Sequence, residues 1–233
     1  MAASRGRATI QRPMLLLALL LFFQATAAAQ SVVLRTFEDD KIGAPPAGFV
    51  MASGRDASLD GWTIKREGNG RVLVHEGKPS PHDSFAVAIF SALHYRDVQV
   101  SVRFKAIAGA RVAGLVWKYQ DPLNHYSAQL DLVKQELVMY RVVNGNRIRL
   151  EREDDLELDP EAWHSLKIFQ EHGQIRVYLG GIRVLSEKDH LPRAAASVGL
   201  WTGGDSTVMF DDFRIEDETE DAPAGAANPT TKP

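Results

Sequence analysis

The sequence predicts an all-β domain built from two packed antiparallel sheets, a sandwich or jelly roll. Three observations predict it. Short β-branched and aromatic runs recur from residue 31 to 215, many joined by tight-turn pairs such as Asn144-Gly145 and His172-Gly173. Asp97–Ile107 alternates cleanly: Val98, Val100, Val102, Phe104 and Ala106 point one way, and Gln99, Ser101, Arg103 and Lys105 the other. Beyond the N-terminal leader no apolar stripe of period 3.6 is sustained. So many half-buried strands must pack sheet on sheet or close on themselves.

The elements follow in order. Ser31–Glu38 reads as the first strand, and Asp39–Gly61, with Pro45-Pro46, as a long loop. Trp62–Ile64 and Arg71–Val74 flank the Gly68-Asn69-Gly70 turn, and Ser84–Phe90 is apolar on both faces. Val112–Tyr119 and His125–Val133 form a hairpin around Gln120–Asn124. Glu136–Val143 and Arg147–Leu150 flank Asn144-Gly145, where both turn positions tolerate positive φ. Asp159–Ala162 has room for one helical turn. Trp163–Gln170, Gln174–Leu179, Ile182–Ser186, Ser197–Trp201 and Thr207–Ile215 complete the set. No internal repeat of fixed period points to a propeller.

The two ends read as something other than core. Residues 1–29 carry Arg5, Arg7 and Arg12, then the apolar run Met14–Phe23, then Ala27-Ala28-Ala29, the pattern of a cleaved secretory signal peptide. The run falls short of the roughly 20 residues that span a bilayer, and no second stretch is long enough, so the mature chain is expected to have no membrane span. Residues 217–233 are acidic and then Pro-rich, too polar to bury surface, and are expected to be a disordered tail. Residues 30–216 are then the single β-sandwich domain.

Removing the leader leaves 24 basic against 30 acidic residues, a net charge of −6. That acidity argues against a nucleic-acid partner, which would need a basic stripe. With 0 Cys there is no disulfide, thiolate ligand or thiol nucleophile. An exported chain without cysteine suits a bacterial periplasm or exterior.

Five stretches together carry a family resemblance: GLVWKYQDPLNHY (114–126), LVMYRVVNGNRIRL (137–150), WHSLKI (163–168), GQIRVYLGG (173–181) and VGLWTGGDSTVMFDDFRI (198–215). They resemble the concanavalin A-like jelly-roll proteins of the 3-keto-disaccharide hydrolase domain family, over about residues 32–216. The family's opening run is reduced here to Leu59-Asp60-Gly61-Trp62, and two tyrosines usual after the turn asparagine are replaced by His125-Tyr126. The resemblance implies a concanavalin A-like jelly roll and, for activity, cleavage of 3-keto-glycosides, in which the keto group acidifies the adjacent carbon. One acid and one base would then run elimination and hydration, with His125, Asp121 and Asp131 the first candidates. In many jelly-roll sugar-binding modules the first and last strands pair and acids there bind a structural Ca²⁺; Glu38, Asp40, Asp211 and Asp212 are the candidates here, with a capped loop as the other reading. In the last strand Asp211 alternates with Met209, Phe213 and Ile215 and is expected to point inward.

Aromatic faces stack on the apolar faces of sugars. Trp117, Tyr119, Tyr126, Tyr140 and Trp201 are therefore candidate platforms, with Lys118, Gln129, Asp131 and Arg141 as polar neighbours on a concave sheet face. Trp117 and Tyr119 are two apart and are expected to share a face. Glu153-Asp154-Asp155-Leu156-Glu157 approaches the acid-strand motif of jelly-roll glucanases, but Asp154 occupies a position that motif fills with an aliphatic, so it reads as an acidic connector. The seven histidines show no H-x-H or H-E-x-x-H spacing, and no serine lies in G-x-S-x-G. The expected function is an exported domain that binds carbohydrate or glycoconjugate without turnover. The alternatives are 3-keto-glycoside hydrolysis and a structural or protein-interaction module of the envelope.

Overall fold

A computed structural model describes residues 31–54, 59–81, 83–189 and 194–218. The leader, the tail beyond residue 218, His82 and His190 lie outside the described residues. The strands are β1 (Val32–Arg35), β2 (Phe49–Gly54), β3 (Trp62–Glu67), β4 (Gly70–His75), β5 (Phe85–Tyr95), β6 (Val98–Ala108), β7 (Val112–Asp121) and β8 (Asn124–Asp131), followed by β9 (Glu136–Val143), β10 (Asn146–Glu153), β11 (His164–Glu171), β12 (Gln174–Leu179), β13 (Ile182–Lys188), β14 (Ala196–Gly203) and β15 (Thr207–Asp217). Among the described residues there is no helix, and Asp159–Ala162 is a plain turn closed by the Ala162 N–H on the Asp159 carbonyl.

Two antiparallel sheets result. The first runs β13-β12-β11-β6-β15-β4-β3, with β1 also on β15; the second runs β10-β9-β8-β7-β14-β5-β2. First and last strands do pair: Val32 lies opposite Glu216 and Arg35 opposite Phe213. β2 falls inside the stretch read from sequence as loop. Its FVMASG run does not alternate, and it forms only by pairing with β5 at the sheet edge.

Between the sheets lies one core, in which Trp117, Phe37, Phe104, Phe210 and Phe213 are the largest fully buried side chains. Burying each such ring removes enough apolar surface to contribute about 2–3 kcal/mol against the unfolded chain. Trp117 also links the sheets by a hydrogen bond, its Nε1–H donating to Gln170 Oε1 of β11 at 2.6 Å.

Two β-bulges override simple alternation. In β7, Lys118 takes a positive φ of 46° and the pairing with β8 slips between Trp117 and Asp121. Trp117 therefore enters the core while Tyr119 emerges on the opposite face, beside Val116 and Trp201, so the two do not share a face. In β15, Asp212 (φ 50°) and a register shift between Asp211 and Arg214 do the same. Phe210 and Phe213 both reach the core, while Met209 packs outside it with Val72 and Val74. Asp211, two residues on from Met209 and before the shift, leaves the inward set, contrary to the alternation read from sequence.

The second sheet is tightly coiled. A Cβ on Gly114 would lie 1.9 Å from the Ala128 carbonyl oxygen, and one on Gly199 2.3 Å from that of Ala88. Only glycine permits these neighbouring backbones to approach so closely.

The bulge assigns opposite fates to two nearby aromatics. Trp117→Ala is expected to cost about 3–5 kcal/mol in urea denaturation, whereas Tyr119→Ala should cost well under half of that. Equal losses would show that both rings belong to the core.

Candidate functional site

The outer face of the second sheet is concave and chemically mixed. Alternation places Phe85, Val87 and Ile89 of β5 on it, with Trp201 of β14 and Val112 and Val116 of β7; these form an apolar cluster separate from the main core. β8 contributes His125, Ser127, Gln129 and Asp131, all buried polar residues. β9 adds Tyr140 and Val142, and Arg147 follows across the Asn144-Gly145 turn.

Coiling brings the rings of this face together across strands. Phe85 and His125 stand on strands with two others between them, yet their ring centroids are 5.4 Å apart. Phe85 also stacks on Trp201 at 6.0 Å and 21°, and His125 meets Tyr119 at 6.0 Å. This row divides the concavity. On one side lies a hollow of about 350 Å³, lined by Val50, Ile89, Tyr119 and Ser197. On the other lies one of about 700 Å³, lined by Gln129, Asp131, Glu136, Tyr140, Arg147, Trp201 and Asp205. A niche of about 70 Å³ joins the larger hollow to the row through Gln129, Arg147 and Trp201.

Arg147 organises the larger hollow. Its Nη2 donates to Gln129 Oε1, its Nη1 stands 3.4 Å from Asp83 Oδ1, and its guanidinium lies 3.6 Å from the centre of the Tyr140 ring. Gln129 in turn donates from Nε2 to Ser127 Oγ at 2.9 Å, which orients its amide. At the turn end, Lys134 Nζ lies 3.1 Å from Asp131 Oδ2 and 3.5 Å from Glu136 Oε1, and Arg152 holds the other Glu136 oxygen at 3.0 Å. Asp131 Oδ1 accepts the N–H groups of Val133 and Lys134, closing the β8–β9 turn.

The residues singled out from sequence divide by face. Tyr119, Gln129, Tyr140, Trp201, His125 and Asp131 reach the concave face. Trp117 and Tyr126 are core packing instead, since both point between the sheets. Arg141 lies with them: it shares the register of Leu137 and Met139 and stands opposite Tyr126. There the Tyr126 hydroxyl donates to Asp189 at 3.1 Å, and Lys118 forms a buried ion pair with the same carboxylate. Tyr140 is no open platform, because Arg147 covers its ring, and Phe85 stacks against Trp201.

Of the three acid/base candidates, His125 and Asp121 are near neighbours and Asp131 stands apart. His125 and Asp131 face the same way but stand six residues apart on one strand, about 20 Å by strand rise. Asp121 serves the hairpin turn, its Oδ1 accepting the Leu123 N–H at 2.7 Å and the Asn124 amide at 3.1 Å. The acids at the junction of first and last strands hold protein partners. Asp40 accepts from Arg35 at 2.7 Å and from the Ala47 N–H at 2.9 Å, Glu38 accepts the Arg71 N–H, and Asp212 pairs with Arg103 at 2.9 Å. Among the described residues no group of three or more His, Asp or Glu is arranged to hold a metal ion. The Glu153–Glu157 acids lie at the end of β10 and in the loop after it, as a connector does.

Phe85, Arg147, Glu136, Asp83 and Asp205 escaped the sequence reading. Phe85 begins a strand apolar on both faces, so nothing in the pattern separates its face from the core. Arg147 follows a hairpin turn, and its register runs through Val142 of β9 to His125 of β8, so only its long side chain reaches Gln129, which no local pattern reveals.

No family model and no curated protein matches the sequence. Solved structures do. Carbohydrate-binding module CBM66 from Bacillus subtilis superposes with a TM-score of 0.56 at 18% identity, covering 73% of this chain and 96% of that one. Domain 4 of AbnA, a GH43 extracellular arabinanase from Geobacillus stearothermophilus solved with arabinotriose, gives 0.57 at 14% identity, covering 81% and 93%. A prokaryotic β-1,3-1,4-glucanase (lichenase) from a mouse hindgut metagenome gives 0.54 at 12%, covering 81% and 100%. The fold is a two-sheet antiparallel jelly-roll sandwich. At these identities the likeness is one of architecture.

His125 gives the site a pH signature. Burial drives its pKa down to about 4; a backbone hydrogen bond and the charge of Asp121 pull it up, and Arg147 pushes it down. Above pH 6.5 the ring is neutral folded or unfolded and contributes nothing. Between pH 6.5 and about 4 only the unfolded chain takes up the proton, so stability falls, by about 3 kcal/mol at the limit. His75, buried and also lowered, acts in the same direction. The urea midpoint should therefore drop between pH 7 and pH 4.5, and His125→Phe should flatten that drop. An unchanged slope in the variant would show that the ring is not buried as neutral imidazole.

Proposed function

We propose that this chain is an exported, glycan-binding jelly-roll domain whose ligand seats in the larger hollow of the concave face and is held without turnover. The observation that carries this reading is the hollow itself. About 700 Å³ of space is lined by the rings of Trp201 and Tyr140 and by the oriented polar set of Gln129, Arg147, Asp131 and Glu136. That size and that mixture of apolar wall and few fixed polar groups are those of a small-molecule site. Carboxylate, amide and guanidinium groups are the partners that sugar hydroxyls need. Two of the structures that share the fold, CBM66 and the arabinotriose-bound AbnA domain, are carbohydrate binders by their descriptions, which supports the reading. The leader at residues 1–29 supports export.

One feature favours a second reading. Asp131 and Glu136 lie directly opposite one another across β8 and β9. Cross-strand partners stand about 5 Å apart at Cβ, and both carboxylates reach the same Lys134 ammonium, so the two acids share one locality, as a catalytic carboxylate pair must. Against turnover, both oxygens of each are already engaged, Asp131 by the turn N–H groups and Lys134, Glu136 by Lys134 and Arg152. In that chemistry a substrate would have to displace these partners.

A glycan array tests the binding reading. Arg147→Ala should weaken binding about 10-fold or more, because it frees both Gln129 and Tyr140, while Arg141→Ala, on the other face, should leave affinity within about 2-fold. A flat array with folded protein would favour the envelope-module alternative. Incubation with 3-keto-glycosides separates binding from hydrolysis: unchanged substrate at high protein loading is expected, and product lost in Asp131→Asn would establish the enzyme.

A further inference from the structure

The aromatic row sets a limit on how a glycan can lie. A ligand following the strands along the concave face would have to pass over the Phe85–His125 contact, and rings 5.4 Å apart leave no channel between them. The hollows on either side share no lining residue, so the concave face is not one continuous groove. The larger hollow ends blindly at Trp201 and the small niche beside Phe85 and His125. At its other end it runs out over the β8–β9 turn and the turn at Gly204-Asp205.

The charges of the hollow narrow the ligand further. Four carboxylates line it, those of Asp83, Asp131, Glu136 and Asp205, against two cations, Lys134 and Arg147. Both cations are engaged, Lys134 by Asp131 and Glu136, and Arg147 by Gln129 and Asp83. An acidic sugar would bring a like charge among carboxylates with no cation free to receive it.

We propose that the hollow takes the terminal residue of an uncharged glycan end-on, with Phe85 and His125 as the stop and the rest of the chain leaving over the two turns. The proposal rests on the glycan-binding reading and refines it. Phe85 and His125 then determine specificity through shape, without touching more than the end of the ligand. A module built this way counts chain ends, whereas an open groove counts lengths of chain.

The test is an array of neutral oligosaccharides of increasing length, each printed twice, once attached through its reducing end and once through its non-reducing end. Polygalacturonate and a sulfated glycosaminoglycan are printed alongside. Binding is expected from one attachment only, lower by more than about 10-fold from the other, and insensitive to length. Phe85→Ala, checked for folding by thermal melt, should narrow the difference between attachments by opening the stop. Equal signals from both attachments that grow with length would overturn the end-on mode while leaving glycan binding intact. Signal confined to the acidic polymers would overturn the uncharged class. Silence on every glycan from folded protein would remove the glycan reading and this inference with it.

Discussion

The structure turns on a single irregularity in β7. At Lys118 the backbone adopts a positive φ, and the strand changes the face it presents. Before it, Trp117 is sunk between the sheets and hydrogen-bonded to Gln170, which ties the two layers together. After it, Tyr119 stands on the far side and joins the row that closes the concavity. The same bulge directs the Lys118 side chain to a buried pair with Asp189, at the end of β13 in the opposite sheet. A buried ion pair contributes little net stability, yet removing either partner leaves a costly lone charge, so the pair fixes register. Core anchoring, site closure and register thus share three consecutive residues.

The pairing of first and last strands is stabilised by arginine. Arg35 and Arg103 pair through their guanidinium groups with Asp40 and Asp212, the Arg71 guanidinium donates to the Asp40 backbone carbonyl, and Glu38 accepts the Arg71 backbone N–H. The guanidinium groups of Arg35 and Arg103 hold Asp40 and Asp212 with directional hydrogen bonds. One acid stays less favoured: the pKa of Asp211 is raised, by burial first and by neighbouring Asp212 and Glu38 in addition, with Arg103 opposing.

The strands and the two-sheet architecture were legible because alternation and turn pairs are local signals. Asp97–Ile107 shows this best: each residue assigned inward up to Ala106 is buried. The face of each aromatic was legible only where the strand is regular. Trp117 and Tyr119, and likewise Met209 and Phe213, were placed on shared faces because a bulge adds a residue without leaving a mark in the hydrophobic pattern. Arg141 differs for another reason: its charge argues for an outward face, whereas its register places it with Leu137 and Met139 on the inward face. Phe85 on His125 depends on the coiling of a whole sheet, a property no short window contains.

The contact between β1 and β15 has a consequence for the order of assembly. Val33 finds its partner, Ile215, at the opposite extreme of the domain, and β15 also separates β6 from β4 in the middle of the first sheet. Synthesis delivers β15 last, so until then the first sheet exists as two unjoined halves and β1 has nowhere to dock. Such long-range closure makes folding slow and leaves open strand edges in its intermediates. The domain therefore completes itself in one late step, and a chain truncated by even its final strand would lose the first sheet rather than one edge of it.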